Sequence, residues 1–220
     1  MTIDGLIDGV IFDNDGTLVD SERVAAELLQ RMLADRNIDL DRDEVLRRFR
    51  GVQFAAFVAE LKQEHPHLDA EPFMQAFRAD SLAMFRQQMD EMPGAGEFLR
   101  GLDLPKCVAS NGPRDKIETT LRSAGLLELF GANIASAYEV NSWKPEPGLI
   151  LAAAQLLGLD PRRCLLVDDS VQGVLAGFAA GAQVAGYGET DFSEFAGRPD
   201  FHRVQDYEAL QALVARLRRS

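Results

Sequence analysis

Two aspartates two positions apart, Asp13 and Asp15, stand directly after the apolar run Val10-Ile11-Phe12 and before Gly16-Thr17. Three large apolar residues in succession need cover on both faces, so the run reads as a buried strand of a parallel sheet. The carboxyl ends of strands in an open α/β sheet face the crevice where ligands bind, so both acids are expected to meet substrate or metal rather than bulk water. Gly16 permits a sharp turn at that point. With a period of two, the two side chains leave one side of the chain, and holding both ionised at close range costs free energy unless a cation or a shared proton compensates. A bound divalent cation is the expected compensation.

Three further segments carry polar residues at expected strand ends. Val108-Ala109 runs into Ser110-Asn111-Gly112-Pro113, where a hydroxyl, an amide and backbone N–H groups at a helix N-terminus would suit an anion. The same residues also serve as ordinary turn and capping sequence. In Trp143-Lys144-Pro145-Glu146-Pro147, Pro145 biases Lys144 toward an extended conformation that aims the ammonium away from the following helix, where it could pair with the acids and a phosphate oxygen. Cys164-Leu165-Leu166-Val167 ends in Asp168-Asp169-Ser170 and repeats the opening arrangement. Adjacent acids diverge, so one can take a metal directly while the other supports it through water or Lys144. The pair could instead cap a helix beginning near Val171. Gly173, Gly177 and Gly181 read as helix packing and termination.

The elements that must position these residues are legible as apolar runs. Strands are expected at Gly9–Phe12, Lys106–Ser110, Asn133–Ala137, Cys164–Val167 and Gln183–Tyr187, alternating with helices after the second. Examples are Arg114–Ala124, with Ile117, Leu121 and Ala124 on one face, and Leu149–Leu157, with Pro145 near its first turn. Such alternation argues for βαβ units and an α/β fold with a parallel sheet. It fails between Ser21 and about Glu91, where only helical periodicity is found: Val24, Leu28 and Met32; Val45, Leu46 and Phe49; Phe54, Phe57, Val58 and Leu61; Phe73, Phe77, Leu82 and Phe85. An all-helical domain over 19–91 is therefore expected inside a core made of 1–18 and 92–220, with Met92-Pro93-Gly94 as the return point. Leu210, Leu213, Val214 and Leu217 read as a closing amphipathic helix.

Composition narrows the function. The 220 residues carry a net charge of −12, which repels phosphate backbones and anionic membranes, so neither nucleic acid nor a membrane is an expected partner. No apolar stretch approaches the roughly 18 residues of a membrane helix. Met1-Thr2-Ile3-Asp4-Gly5 lacks the basic start and apolar centre of a secretory signal, and a cytoplasmic protein, monomeric or weakly dimeric, is expected. Cys107 and Cys164, the only cysteines, fall inside apolar runs and read as reduced core residues. His65, His67 and His202 lie far from the strand ends in sequence and read as surface or loop residues.

Taken in order, Asp13-Asn14-Asp15-Gly16-Thr17, Ser110, Lys144 and Asp168-Asp169 resemble the four signature elements of the haloacid dehalogenase-like hydrolase superfamily, over essentially the whole chain. The helical insert resembles that family's cap, and the implied core is Rossmann-like. Phe12–Glu22, Ser110–Pro113 and Val167–Ser170 look most like the family's small sugar-phosphate phosphatases. The resemblance implies that Asp13 is a nucleophile forming an aspartyl-phosphate, and that Asp15 protonates the departing alkoxide and later deprotonates water. It implies Mg²⁺ held by Asp13, Asp15 through its backbone carbonyl, and Asp169, with Asp168 supporting. Lys144 and Ser110, with Asn111 and Gly112, would neutralise the phosphoryl oxygens.

The implied substrate is a small phosphorylated metabolite, a sugar phosphate or a sugar-acid phosphate such as 6-phosphogluconate. Arg47, Arg48 and Arg50, followed by Gly51, resemble the family's cap specificity loop and could hold a carboxylate or a second phosphate; a solvated helix end is the alternative. Dehalogenase members lack the second aspartate, which Asp15 supplies, so phosphate is favoured over a C–halogen bond. β-Phosphoglucomutase-like members carry a histidine just after the hinge, and Ser21–Glu27 contains none, so hydrolysis is preferred to mutase chemistry. A phosphoglycolate phosphatase and a non-catalytic phosphometabolite- or metal-binding regulator are the remaining alternatives. A receiver-like signalling module would leave Asp13 unexplained.

Overall fold

The structure is a computed structural model that describes residues 7–49, 54–87 and 89–218. The chain divides into two compact units, Met1–Val19 with Glu91–Ser220, and Asp20–Asp90. Among the described residues six strands and ten α-helices run in the order β1 (Gly9–Phe12), α1 (Ser21–Ala34), α2 (Arg42–Phe49), α3 (Phe54–Glu64), α4 (Ala70–Gln87), α5 (Ala95–Gly101), β2 (Lys106–Ser110), α6 (Arg114–Ser123), β3 (Ile134–Ser136), α7 (Ala137–Val140), α8 (Gly148–Leu156), β4 (Cys164–Asp168), α9 (Val171–Ala180), β5 (Gln183–Tyr187), β6 (Phe201–Val204) and α10 (Tyr207–Leu217).

In the first unit all six strands pair in parallel, in the order β3-β2-β1-β4-β5-β6. This is an α/β, Rossmann-like sheet. Both faces of β1 are buried because helices cover both, which is why its sequence is a continuous apolar run rather than an alternating one. Ile11 shares one face with Cys107, Ala109 and Leu166, packed on Leu149, Ile150, Ala153 and Ala154 of α8 and Ala176 and Ala180 of α9. Phe12 points the other way and meets Phe98 of α5 and Phe130 edge to face, at centroid distances of 6.2 and 6.1 Å. Cys107 and Cys164 are free and buried, and burial pushes each thiol up to about 12, so neither is a nucleophile at neutral pH.

Several element ends differ from the sequence reading. β3 covers Ile134–Ser136 rather than 133–137, because Ser136 accepts the Tyr138 N–H and caps α7. β4 continues to Asp168. α8 starts at Gly148 with Pro147 at its N-cap, so Pro145 lies ahead of the first turn rather than in it. β6 is an additional strand, and His202 lies within it, half-buried and 3.1 Å from Gln183 Oε1, rather than on a loop. It is an edge strand with only Val204 buried, so it lacks the apolar run that marks the inner strands.

Among the described residues of the second unit the regular elements are all helices. α1 packs on α2 and α4, and α3 on α2 and α4, around Leu28, Leu29, Leu33, Val45, Phe57, Val58, Leu61, Phe73 and Phe77. Phe49 meets Phe54 and Phe77 edge-on against this core, and Phe54 lies tilted over Phe77 at 4.3 Å. In α4 the buried stripe runs through Ser81, leaving Leu82 half-buried. Asp20 caps α1 and, with Glu27 and Asp90, surrounds the Arg23 guanidinium. No described helix is long and apolar enough to cross a membrane.

Candidate active site

The strand order reverses at β1, which has β2 and β3 on one side and β4 to β6 on the other. Such a switch point opens a crevice at the carboxyl ends of the strands. Phe12 pairs with Val167, so the next residues, Asp13 and Asp168, leave neighbouring strands side by side, and the Asp13 N–H donates to the Val167 carbonyl at 2.9 Å.

Lys144 joins these acids. Its Nζ donates to Asp13 Oδ1 at 2.5 Å and to Asp168 Oδ2 at 2.7 Å, with its side chain 3% exposed. Its backbone N–H donates to Asn111 Oδ1 at 2.9 Å, so the turn after β2 fixes the loop that carries the lysine. Burial pushes the Asp13 carboxyl up to about 7 against the pull of Lys144, with Asp168 and Asp15 adding like-charge repulsion. Burial lowers the Lys144 pKa, but Asp13 and Asp168 outweigh it and the net shift is upward.

Asp168 is fully buried, and its Oδ1 accepts the Ser170 N–H at 2.9 Å and the Ser170 hydroxyl at 2.7 Å. Ser170, rather than either aspartate, caps α9, accepting the Gly173 N–H at 3.0 Å. Gly173 has a second role: a Cβ there would stand 1.8 Å from Asp168 Oδ2. Gly16, at φ +78°, likewise gives way to Asp169, whose Oδ2 would lie 2.2 Å from a Cβ. Ligand atoms of Asp13, Asp168 and Asp169 all lie within 4.8 Å of one another. The three carboxylates, gathered beside the buried Lys144 ammonium, form an all-oxygen donor set that suits a hard divalent cation. Replacing Gly173 with Ala displaces Asp168 from Lys144; we expect turnover to fall at least about tenfold and metal affinity to weaken by a similar factor, as for loss of a supporting ligand contact, read by steady-state kinetics and calorimetric titration.

The Asp15 carboxylate stands outside this cluster. Its Oδ2 accepts from Lys116 Nζ of α6 at 2.9 Å. The loop carrying both acids is anchored by Asn14, which donates to Thr120 Oγ1 at 3.1 Å, and by the Thr17 carbonyl, which accepts the Tyr207 hydroxyl at 2.6 Å. Ser110 is buried and its Oγ accepts the Gly112 N–H at 3.1 Å, while Ser136 Oγ donates to the Gly112 carbonyl at 2.8 Å. The Gly112 N–H is therefore engaged within its own turn, not facing outward as the sequence reading expected.

In the helical unit, Arg47 is exposed in the last turn of α2. Arg48 is taken up by Glu60 and Glu64 at 3.0 and 2.9 Å. Arg50 and Gly51 lie outside the described residues. Sequence reasoning missed Lys116, Ser170 and the clearance at Gly173. A lysine in the first turn of a helix that opens at the sheet edge was the available signal for the first, and a serine before a helical glycine for the second.

The profile of the haloacid dehalogenase-like hydrolase family matches residues 7–181. Over 179 residues the chain is 35% identical to the 6-phosphogluconate phosphatase of Escherichia coli K12, covering 81% of each protein. It is 34% identical to hexitol phosphatase A of the same organism over 182 residues, 80% of this chain and 81% of the other. Among solved structures, a HAD family hydrolase from Deinococcus radiodurans with bound phosphate and sodium superposes with a TM-score of 0.82 at 34% identity, covering 97% of each chain.

Proposed function

The chain belongs to the haloacid dehalogenase-like hydrolases and is a phosphoric monoester hydrolase, and from that premise we propose that it is a Mg²⁺-dependent phosphatase of sugar phosphates or sugar-acid phosphates, acting through an aspartyl-phosphate on Asp13. The observation that carries this reading is the Lys144 ammonium holding Asp13 and Asp168 together beside Asp169.

Asp13, Asp169 and the Asp15 backbone carbonyl would hold the cation, with Asp168 orienting Lys144. When bound, the ion offsets the charge of the phosphoryl oxygens and of the acids around them. Lys144 anchors Asp13 Oδ1, which leaves Oδ2 to attack phosphorus in line. The bond from phosphorus to the leaving oxygen breaks as Asp15 gives that oxygen its proton, producing the free alcohol. Asp15 then takes a proton from water, whose oxygen attacks the phosphorus of the aspartyl-phosphate and releases inorganic phosphate and the Asp13 carboxylate. Lys144, Ser110 and Asn111 serve the phosphoryl group, with Gly112 bracing the turn that carries Ser110 and Asn111, and Arg47, Arg50 and Gly51 are assigned to substrate choice. The names of the relatives, a 6-phosphogluconate phosphatase and a hexitol phosphatase, support a phosphorylated sugar acid or polyol as substrate.

The test is phosphate release from 6-phosphogluconate, hexose and hexitol phosphates, phosphoglycolate and nucleotides, with Mg²⁺ and with chelator. Sugar and sugar-acid phosphates should lead the panel, and chelation should remove activity that Mg²⁺ restores. Undiminished hydrolysis in chelator, or no hydrolysis of any monoester, would contradict the reading.

The metal also sets a pH dependence of stability. Burial raises Asp13 from 3.8 to about 7, so in metal-free protein its contribution to stability is full below pH 4 and lost as pH climbs through 7. Lys144 is raised as well, which leaves its contribution constant over that window. Mg²⁺ must displace the Asp13 proton, so its stabilisation should grow from pH 5 to pH 8. Melting temperatures with and without Mg²⁺ at the two pH values check this; a larger gain at pH 5 reverses the sign.

A further inference from the structure

Lys116 has no part in the site as the family resemblance lays it out, yet it makes a direct ion pair with Asp15. Its Nζ lies 2.9 Å from Asp15 Oδ2, across 101 positions of sequence, and the two side chains are 31% and 28% exposed. The helix itself gives no reason for a lysine here. Lys116 is the third residue of α6, where the positive end of the helix dipole disfavours a cation. A negative partner from another element offsets that cost.

The path of the side chain is also defined. Lys116 Cδ lies 3.6 Å from where a Cβ of Gly112 would stand, so its stem crosses the turn that Ser110 and Ser136 brace. That turn also holds Lys144 through Asn111. One turn thus directs two lysines, Lys144 to Asp13 and Lys116 to Asp15. A proton-transfer group must be kept within hydrogen-bond reach of the reacting oxygen, and a partly exposed aspartate at the tip of a turn rotates freely unless a neighbour fixes it.

We propose that Lys116 is a positioning residue for Asp15: its ammonium holds the carboxyl group by Oδ2, so that Oδ1 is the oxygen that carries the proton given to the leaving group and later takes one from water. The inference rests on the reading of Asp15 as the group that protonates the departing oxygen. Lys116 meets Asp15 at its carboxyl group and not at the backbone carbonyl assigned to the cation, so its loss should act chiefly on reactions that need the proton.

The chemistry supplies a readout that a structural role would not move. p-Nitrophenolate leaves readily without a proton, whereas phenolate, a far stronger base, gains from one. kcat/KM reports the step in which the leaving group departs, before the aspartyl-phosphate hydrolyses. The experiment therefore measures kcat/KM for p-nitrophenyl phosphate and phenyl phosphate with the wild type and with Lys116→Met, Lys116→Gln, Lys116→Arg and Asp15→Asn, each first shown to melt as the wild type does.

For Lys116→Met and Lys116→Gln, kcat/KM for phenyl phosphate should fall at least tenfold more than for p-nitrophenyl phosphate. Asp15→Asn should show the same bias more strongly, and Lys116→Arg should stay within threefold of the wild-type ratio. If Asp15→Asn discriminates between the two esters while the Met and Gln variants lose equally on both, the positioning role is overturned. If Asp15→Asn does not discriminate, the reading of Asp15 fails, and the proposal with it.

Discussion

Asp13→Asn should abolish turnover, with kcat reduced on the order of 10⁴-fold or more, the scale seen when a covalent nucleophile is removed. An amide oxygen is neutral and a poor nucleophile, so the loss strikes the first displacement itself. The substitution is nearly isosteric, and Asp13 Oδ1 as an amide oxygen can still accept from Lys144 at its present 2.5 Å. Asp168 and Asp169 remain, so divalent-ion binding should weaken yet survive. Removing a carboxyl that burial already pushes up to about 7 also relieves a desolvation cost, and the variant should melt no lower than the metal-free wild type near neutral pH. Activity within tenfold of the wild type would remove Asp13 from its role.

Lys144→Met should be the more damaging change to the protein as a whole. The lysine is the shared partner of two acids, one of them fully buried, and a thioether leaves Asp13 and Asp168 facing each other without a cation. Breaking a buried pair by removing one partner costs about 3–5 kcal/mol. Because neutralising Asp13 relieves the repulsion, the deficit should shrink at pH 5 relative to pH 8. Mg²⁺ should recover part of the stability but little of the activity, since the group that orients Asp13 is gone. Lys144→Arg should not rescue, because a planar guanidinium needs more room than a side chain 3% exposed is given. Urea unfolding at the two pH values, with and without Mg²⁺, measures these effects; a loss independent of pH and of metal would mean that the lysine acts by packing alone.

The inner strands were readable because burial on both faces demands apolar runs, and three of the four, β1, β2 and β4, lead into a residue of the site: Asp13, Ser110 and Asp168. Lys144 was legible through its setting before Pro145, although no local signal showed that it would reach two acids on two strands. β6 escaped because an edge strand buries only Val204 and keeps polar residues between. Gly173 reads in sequence as any helical glycine, and its purpose exists only once Asp168 stands beside it. Lys116 escaped for the same reason, since its partner is Asp15, on the first turn of the core. Residues that act on ligands sit at element ends with a type-specific signal, whereas residues that place them are defined by tertiary neighbours.

The stereochemical course at phosphorus tests the central claim most directly. A phosphate monoester made chiral at phosphorus is hydrolysed with Mg²⁺, and the configuration of the released phosphate is determined. Attack by Asp13 followed by attack of water comprises two in-line displacements, and the account predicts overall retention. Inversion would mean that water attacks the ester directly and that Asp13 never carries the phosphoryl group.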